Sequence, residues 1–130
     1  MSHPTLTIDE VMSPSPYSIQ VDATLSDAHE LMRSHHIRHL PVLDGDRLVG
    51  MVTERDLHLM ETLSDVDPDE VTVGEAMTPD PYAVQIGTNL RDVAIALASR
   101  KYGSAVVLDG DRVVGVFTTV DALRVLSHLL

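Results

Sequence analysis

The sequence predicts an α+β protein made of two tandem β-α-β-β-α repeats packed about a pseudo-twofold axis. Three observations carry this. The chain matches itself without a gap at an offset of 65, residues 11–59 lying on 76–124 with 18 identities in the 49 pairs. A run Val42-Leu43-Asp44-Gly45-Asp46-Arg47 returns as Val107 to Arg112, placing the same hairpin signal in each copy. Thr/Asn-x-x-Asp segments precede apolar residues at helical spacing in both copies.

The elements follow in the same order twice. Proline-containing residues 13–16 read as a turn, and residues 17–21 and 82–86 as short extended segments. Thr24-Leu25-Ser26-Asp27 and Asn89-Leu90-Arg91-Asp92 have the form of helix starts. Leu25, Ala28, Leu31 and Met32, and in the second copy Leu90, Val93, Ala96 and Leu97, then define one apolar face. These helices are expected to end near Ser34 and Ser99. Residues 40–43 and 48–52 read as strands around the Asp-Gly turn, as do 105–108 and 113–117. Second helices start at Thr53 and Thr118. The expected organisation is an N-terminal segment 1–10, a first repeat 11–63, an acidic linker 64–75 and a second repeat 76–130, with neither repeat holding enough apolar mass to stand alone.

Composition narrows the function. Apolar residues make up 44% and charged residues 22% of the 130, a globular balance with few aromatics. A formal net charge of −11 argues against nucleic acid as partner, because that binding draws on Lys and Arg neutralising phosphates. Charge or glycine interrupts every apolar stretch, so no membrane span is expected. The start of the chain lacks the pattern of a signal peptide, and the absence of cysteine excludes thiolate chemistry; both fit a cytoplasmic location. No Walker A sequence, serine-nucleophile motif or metal-ligand spacing is present, so an enzyme is not expected.

Gly50-Met51-Val52-Thr53-Glu54-Arg55-Asp56 and Gly115-Val116-Phe117-Thr118-Thr119-Val120-Asp121 share the form Gly-h-h-Thr-x-x-Asp, where h is apolar. With Met12-Ser13-Pro14, Met77-Thr78-Pro79 and His39-Leu40-Pro41-Val42-Leu43-Asp44, these segments resemble the CBS-domain family over residues 10–130. The resemblance implies a stand-alone CBS-domain pair, a regulatory module that binds AMP, ADP, ATP or S-adenosylmethionine, requires no cofactor, and signals ligand state to a protein partner. It also implies two clefts. Ser13, Tyr17, Ser18, Ile37, Arg38, His39 and Pro41 would line the first, with Thr118 and Asp121 holding phosphate and ribose. Thr78, Tyr82, Ala83, Tyr102, Gly103, Ser104 and Val106 would line the second, facing Thr53, Arg55 and Asp56; Val106 departs from the family's usual proline.

Elementary chemistry agrees with those roles. A carboxylate accepts from two vicinal ribose hydroxyls, and a helix N-terminus offers free N–H groups to a phosphate. Arg38, His39 and Arg55 supply local positive charge. Thr53-x-x-Asp56 and Thr118-x-x-Asp121 are equally explained as capping boxes, so helix initiation alone accounts for the same residues. His35, His36 and His39 lie close in sequence without the spacing of a metal site, and no metal is expected from them. Met32, Met51, Met60 and Met77 read as core filler. Leu126, Leu129 and Leu130 leave an apolar end on the last helix, expected to be covered by a second subunit in a homodimer. The alternative to nucleotide sensing is a structural dimerisation or protein-interaction module with empty clefts.

Overall fold

A computed structural model describes residues 5–15 and 17–130; Pro16 and the first four positions of the N-terminal segment lie outside the described residues. The elements run α1 (Ile8–Val11), β1 (Ser13–Pro14), β2 (Ile19–Gln20), α2 (Leu25–His35), β3 (His39–Asp44), β4 (Arg47–Thr53) and α3 (Glu54–Glu61). The second series is α4 (Val73–Ala76), β5 (Thr78–Pro79), β6 (Ala83–Gln85), α5 (Leu90–Arg100), β7 (Ser104–Asp109), β8 (Arg112–Thr118) and α6 (Thr119–Leu129). Two tandem copies of one mixed α and β unit are therefore present, with two four-stranded sheets ordered β2-β3-β4-β5 and β1-β8-β7-β6.

The compact units do not follow the sequence repeats. Residues 17–81 form one, here the first-copy unit, while residues 82–130 and the chain's beginning up to position 16 form the other, the second-copy unit. Residues 13 and 14, read as part of a turn, instead form an edge strand antiparallel to β8, pairing Ser13 with Val116 and Pro14 with Gly115. An edge is where a proline, which has no N–H to donate, is tolerated. β5 does the same against β4, through Thr78↔Met51 and Pro79↔Gly50.

Two short helices, α1 and α4, have no counterpart in the sequence reading. Their signals were present 65 residues apart: Glu10 accepts the Thr7 N–H at 2.7 Å, and Glu75 accepts the Thr72 N–H at 2.9 Å. Each contributes one fully buried residue, Ile8 or Val73, to the core of its unit. The acidic 64–70 stretch is exposed at most of its charges but is also tied down: Val71 and Pro68 carbonyls accept the N–H groups of Leu25 and Ser26, and Ser26 Oγ donates to Asp69 at 2.6 Å.

Both cores are aliphatic apart from Phe117. Leu25, Ala28, Leu40, Val42, Val52, Leu57 and Val73 are fully buried together in the first-copy unit. Ile8, Val93, Ala105, Val107 and Phe117 are fully buried together in the second. The capping box expected at Thr24 is complete, with Thr24 Oγ1 accepting from the Asp27 N–H and Asp27 from the Thr24 N–H. Asn89 departs from it: its side chain accepts from the Arg91 N–H at 2.8 Å, and Asp92 returns no bond.

The expected strands 17–21 and 82–86 shorten to β2 and β6, which run parallel to β3 and β7. Gln20 and Gln85, identical in the two copies, explain themselves here. Each carboxamide accepts from the N–H and donates to the carbonyl of Gly45 or Gly110 at 2.9–3.0 Å, clamping the hairpin turn. The turn's central residues are Gly45-Asp46, not Asp44-Gly45, since Asp44 pairs with Arg47. Gly45 has φ +65° and Asp46 is not in the left-handed region, the pattern of a type II′ turn.

Asp9 accepts the Gly87 N–H at 2.7 Å, and this bond chiefly holds its carboxyl below the ordinary value near 3.8. A depressed folded-state pKa contributes stability that is present above the unfolded value and lost as pH falls through the folded one. Asp9→Asn is therefore expected to be less stable than the parent at neutral pH, with the gap closing below about pH 4. Urea unfolding at pH 7 and at successively lower pH checks this, and a gap that does not narrow as pH falls below about 4 contradicts it.

Candidate functional site

Each Gly-h-h-Thr-x-x-Asp segment places its glycine in a sheet strand and its threonine at a strand-to-helix junction. Thr53 caps α3, with Oγ1 accepting from the Asp56 N–H at 3.1 Å and Asp56 Oδ2 accepting from the Thr53 N–H at 2.9 Å. Thr118 and Asp121 repeat this at α6, at 3.2 and 2.9 Å. Helix capping is thus a function that both carboxylates perform.

Their remaining oxygens differ. In the second-copy unit Asp121 is 6% exposed, and its Oδ1 accepts from Ser13 Oγ at 3.0 Å and Arg124 Nη1 at 3.3 Å, while Oδ2 also accepts from Thr118 Oγ1. Every lone-pair direction has a partner within its own unit. In the first-copy unit Oδ1 of Asp56 accepts no bond among the described residues, because the counterpart of Arg124 is Leu59 and Thr78 Oγ makes no such link. The resemblance gives both carboxylates the same role; the geometry leaves the available acceptor on Asp56 and not on Asp121.

Within the first-copy unit a groove of about 490 Å³ is lined by Arg38, His39, Thr53, Glu54, Arg55 and His58. Residues expected in two different clefts, Arg38 and His39 from one, Thr53 and Arg55 from the other, therefore meet beside the N-terminus of α3. The local cause is the sheet register: His39 pairs with Thr53, and the Arg38 carbonyl accepts the Glu54 N–H at 3.0 Å. Arg38 is largely exposed, with Nε 3.8 Å from Glu54. Other expected residues of this unit lie apart from that groove. Tyr17 stacks on His35 at 3.8 Å between ring centroids, Ser18 lines a separate hollow beside α2, Pro41 is buried, and Thr78 is exposed on β5. Ile37 is half-buried against the core.

In the second-copy unit Tyr82 stacks on Tyr102 at 5.0 Å, with an interplanar angle of 17°. Partial burial raises the Tyr82 phenol above its ordinary value, so it stays protonated as a donor. Ala83 is exposed and pairs with the buried Val106, Ser104 pairs with Thr118, and Gly103 accepts the Thr119 N–H. A Cβ at Gly103 meets nothing within 4 Å, so the space beside β7 and α6 is open there.

Comparison with known proteins places this geometry. The family model for the CBS domain matches residues 8–59 and again 73–128. Hypoxic response protein 1 of Mycobacterium tuberculosis is 29% identical over 119 residues, spanning 91% of this chain and 83% of that protein. A crystal structure of Hypoxic Response Protein I holds two coordinated zinc ions and aligns at TM-score 0.75, 28% identity, covering 92% of this chain and 98% of that one. The putative acetoin utilization protein AcuB of Vibrio cholerae aligns at TM-score 0.78 and 29% identity, over 97% and 93% of the two chains. CBSX2, a chloroplastic protein of Arabidopsis thaliana, was crystallised in complex with AMP; that structure aligns at TM-score 0.76 and 28% identity, over 94% and 97%.

Proposed function

The chain belongs to the CBS-domain family, with two copies of the domain in tandem, and from that premise we propose a regulatory module that binds an adenosine nucleotide and relays its presence to a protein partner without catalysing a reaction. The observation that carries the reading is the first-copy groove, where the guanidiniums of Arg38 and Arg55, with His39 and the Glu54 that pairs with Arg38, surround the N-terminus of α3 beside Thr53. In a chain of net charge −11, local cations at a helix start are the feature that gives a phosphate a place. Asp56, whose Oδ1 accepts no bond among the described residues, supplies the acceptor for a ribose hydroxyl. The AMP complex of CBSX2 supports the ligand class.

A second reading, an interaction module that dimerises through its helices, is favoured by one observation: Leu123, Leu126 and Leu129 on α6 are 65%, 49% and 59% exposed. The two readings separate in one experiment. Protein unfolded, stripped of ligand and refolded is heated with AMP, ADP, ATP and S-adenosylmethionine. Under the nucleotide reading at least one stabilises the fold, by about 2.7 kcal/mol at a hundred times its Kd. Asp56→Asn should retain the apo Tm, because an amide oxygen still accepts the Thr53 N–H, yet bind at least tenfold more weakly. Stabilisation by none of the four ligands leaves the interaction module as the function.

A further inference from the structure

In the first-copy unit the groove beside Thr53 runs on into a second hollow. That hollow, of about 460 Å³, lies along α2 and α3 and shares Arg38, Glu54 and His58 with the groove, adding His29, Arg33 and His36. The two together present three guanidiniums, those of Arg33, Arg38 and Arg55, and the imidazoles of His29, His36, His39 and His58. Two carboxylates face them: Glu54, 3.8 Å from both Arg38 Nε and His58 Nε2, and Glu61, 2.5 Å from His29 Nε2. With every imidazole neutral the set is therefore positive by one charge, in a chain of net charge −11. Arg33 and His36 are exposed and have no side-chain partner among the described residues.

The internal repeat shows that this set is not needed for the fold of the unit. At an offset of 65, Arg33, Arg38, Glu54, Arg55 and His58 fall on Ala98, Gly103, Thr119, Val120 and Leu123, and only His36 falls on a cation, Lys101. A basic residue near the end of α2 also suits the helix dipole. α5 ends on Arg100 and Lys101 with Ala98 at the matching position, so helix termination does not call for Arg33. Given the nucleotide reading above, we infer that the first-copy groove selects an adenosine nucleotide with two or three phosphates over AMP and over S-adenosylmethionine. The phosphate next to the ribose lies at Thr53 and Arg55, and those beyond it pass Arg38 toward Arg33 and His36. Guanidinium forks match phosphate oxygens, and an imidazole donates an N–H to them in either protonation state. Glu54 opposes the anion, but Arg38 and His58 offset it, which leaves Arg33 and His36 as the groups with nothing else to bind. The single phosphate of AMP stops short of them, and S-adenosylmethionine carries a sulfonium cation in place of phosphate.

The test is calorimetric titration at pH 7 of the full chain, stripped of ligand and free of divalent metal, with AMP, ADP, ATP and S-adenosylmethionine. ATP and ADP are expected to bind about tenfold or more tighter than AMP, with S-adenosylmethionine weakest. Arg33→Ala, which introduces the second copy's own residue, should weaken ATP binding about fivefold or more. AMP affinity should stay within about twofold and the apo Tm within a few degrees, because Arg33 is exposed. Adding His36→Asn, with asparagine suited to the positive φ of 54° at that position, should bring ATP to the affinity of AMP. AMP or S-adenosylmethionine binding as tightly as ATP in the parent overturns the selection and leaves the nucleotide reading intact, as does an ATP preference that survives in the double variant. Binding of none of the four overturns both.

Discussion

Phe117→Ala is expected to destabilise the second-copy unit by about 3–5 kcal/mol, lowering Tm by roughly 10–20 °C. Phe117 is the single phenylalanine of the chain and is fully buried. It packs in the cluster with Ile8, Val93, Leu97, Ala105 and Val107. Its removal subtracts the transfer free energy of an aromatic ring and leaves a cavity that β-branched neighbours, stiff at χ1, fill poorly. The counterpart Val52 sits at the same register of β4, so Val52→Ala should cost less, in proportion to the smaller volume removed. Denaturant melts of both variants check the order, and a loss of under about 1 kcal/mol for Phe117→Ala contradicts the packing assigned to it.

Gly115→Val is expected to cost at least the upper end of the about 1–3 kcal/mol typical of overpacking. A Cβ at Gly115 stands 2.9 Å from the Ser13 carbonyl oxygen and collides with Met12 Sδ. The thioether can turn aside; the backbone carbonyl belongs to the β1–β8 pairing and cannot, so β1 must lift. Ser13 then carries its hydroxyl away from Asp121 and removes one of the donors that hold that carboxylate. Gly50→Val meets Met77 and the Thr78 carbonyl in the same way in the other unit. Gly103→Ala is the control, with open space around its Cβ and an expected change within about 0.5 kcal/mol. Equal melting of Gly115→Val and Gly103→Ala would refute the close approach of the two strands. The first glycine of Gly-h-h-Thr-x-x-Asp is thereby explained by strand packing against the Met-Ser/Thr-Pro segment, independently of any ligand.

Several features were legible in the residues because they depend on neighbours along the chain. The repeat at 65, the hairpins, and the boxes at Thr24, Thr53 and Thr118 are local hydrogen-bond and turn patterns, and the structure contains them. α1 and α4 carried an equally local signal in Thr7-x-x-Glu10 and Thr72-x-x-Glu75, but four residues are too few for apolar periodicity to mark a helix.

What only the tertiary structure decided is which distant residues share a place. No local pattern says that β1 completes the sheet of the second copy, because an edge strand takes its partner from the unpaired backbone it meets and not from its own side chains. The same holds for the site. Two near-identical boxes left Asp56 and Asp121 equivalent in sequence; Ser13 and Arg124 saturate one carboxylate and leave the other with an acceptor to offer. His29 and Glu61, 32 residues apart, become neighbours only when α2 and α3 pack side by side. The sequence by itself determined the two copies and their elements, since propensity, capping and turns act over a few residues. Strand exchange between the copies and the availability of each polar group were settled by packing, where long-range contact and burial outweigh local preference.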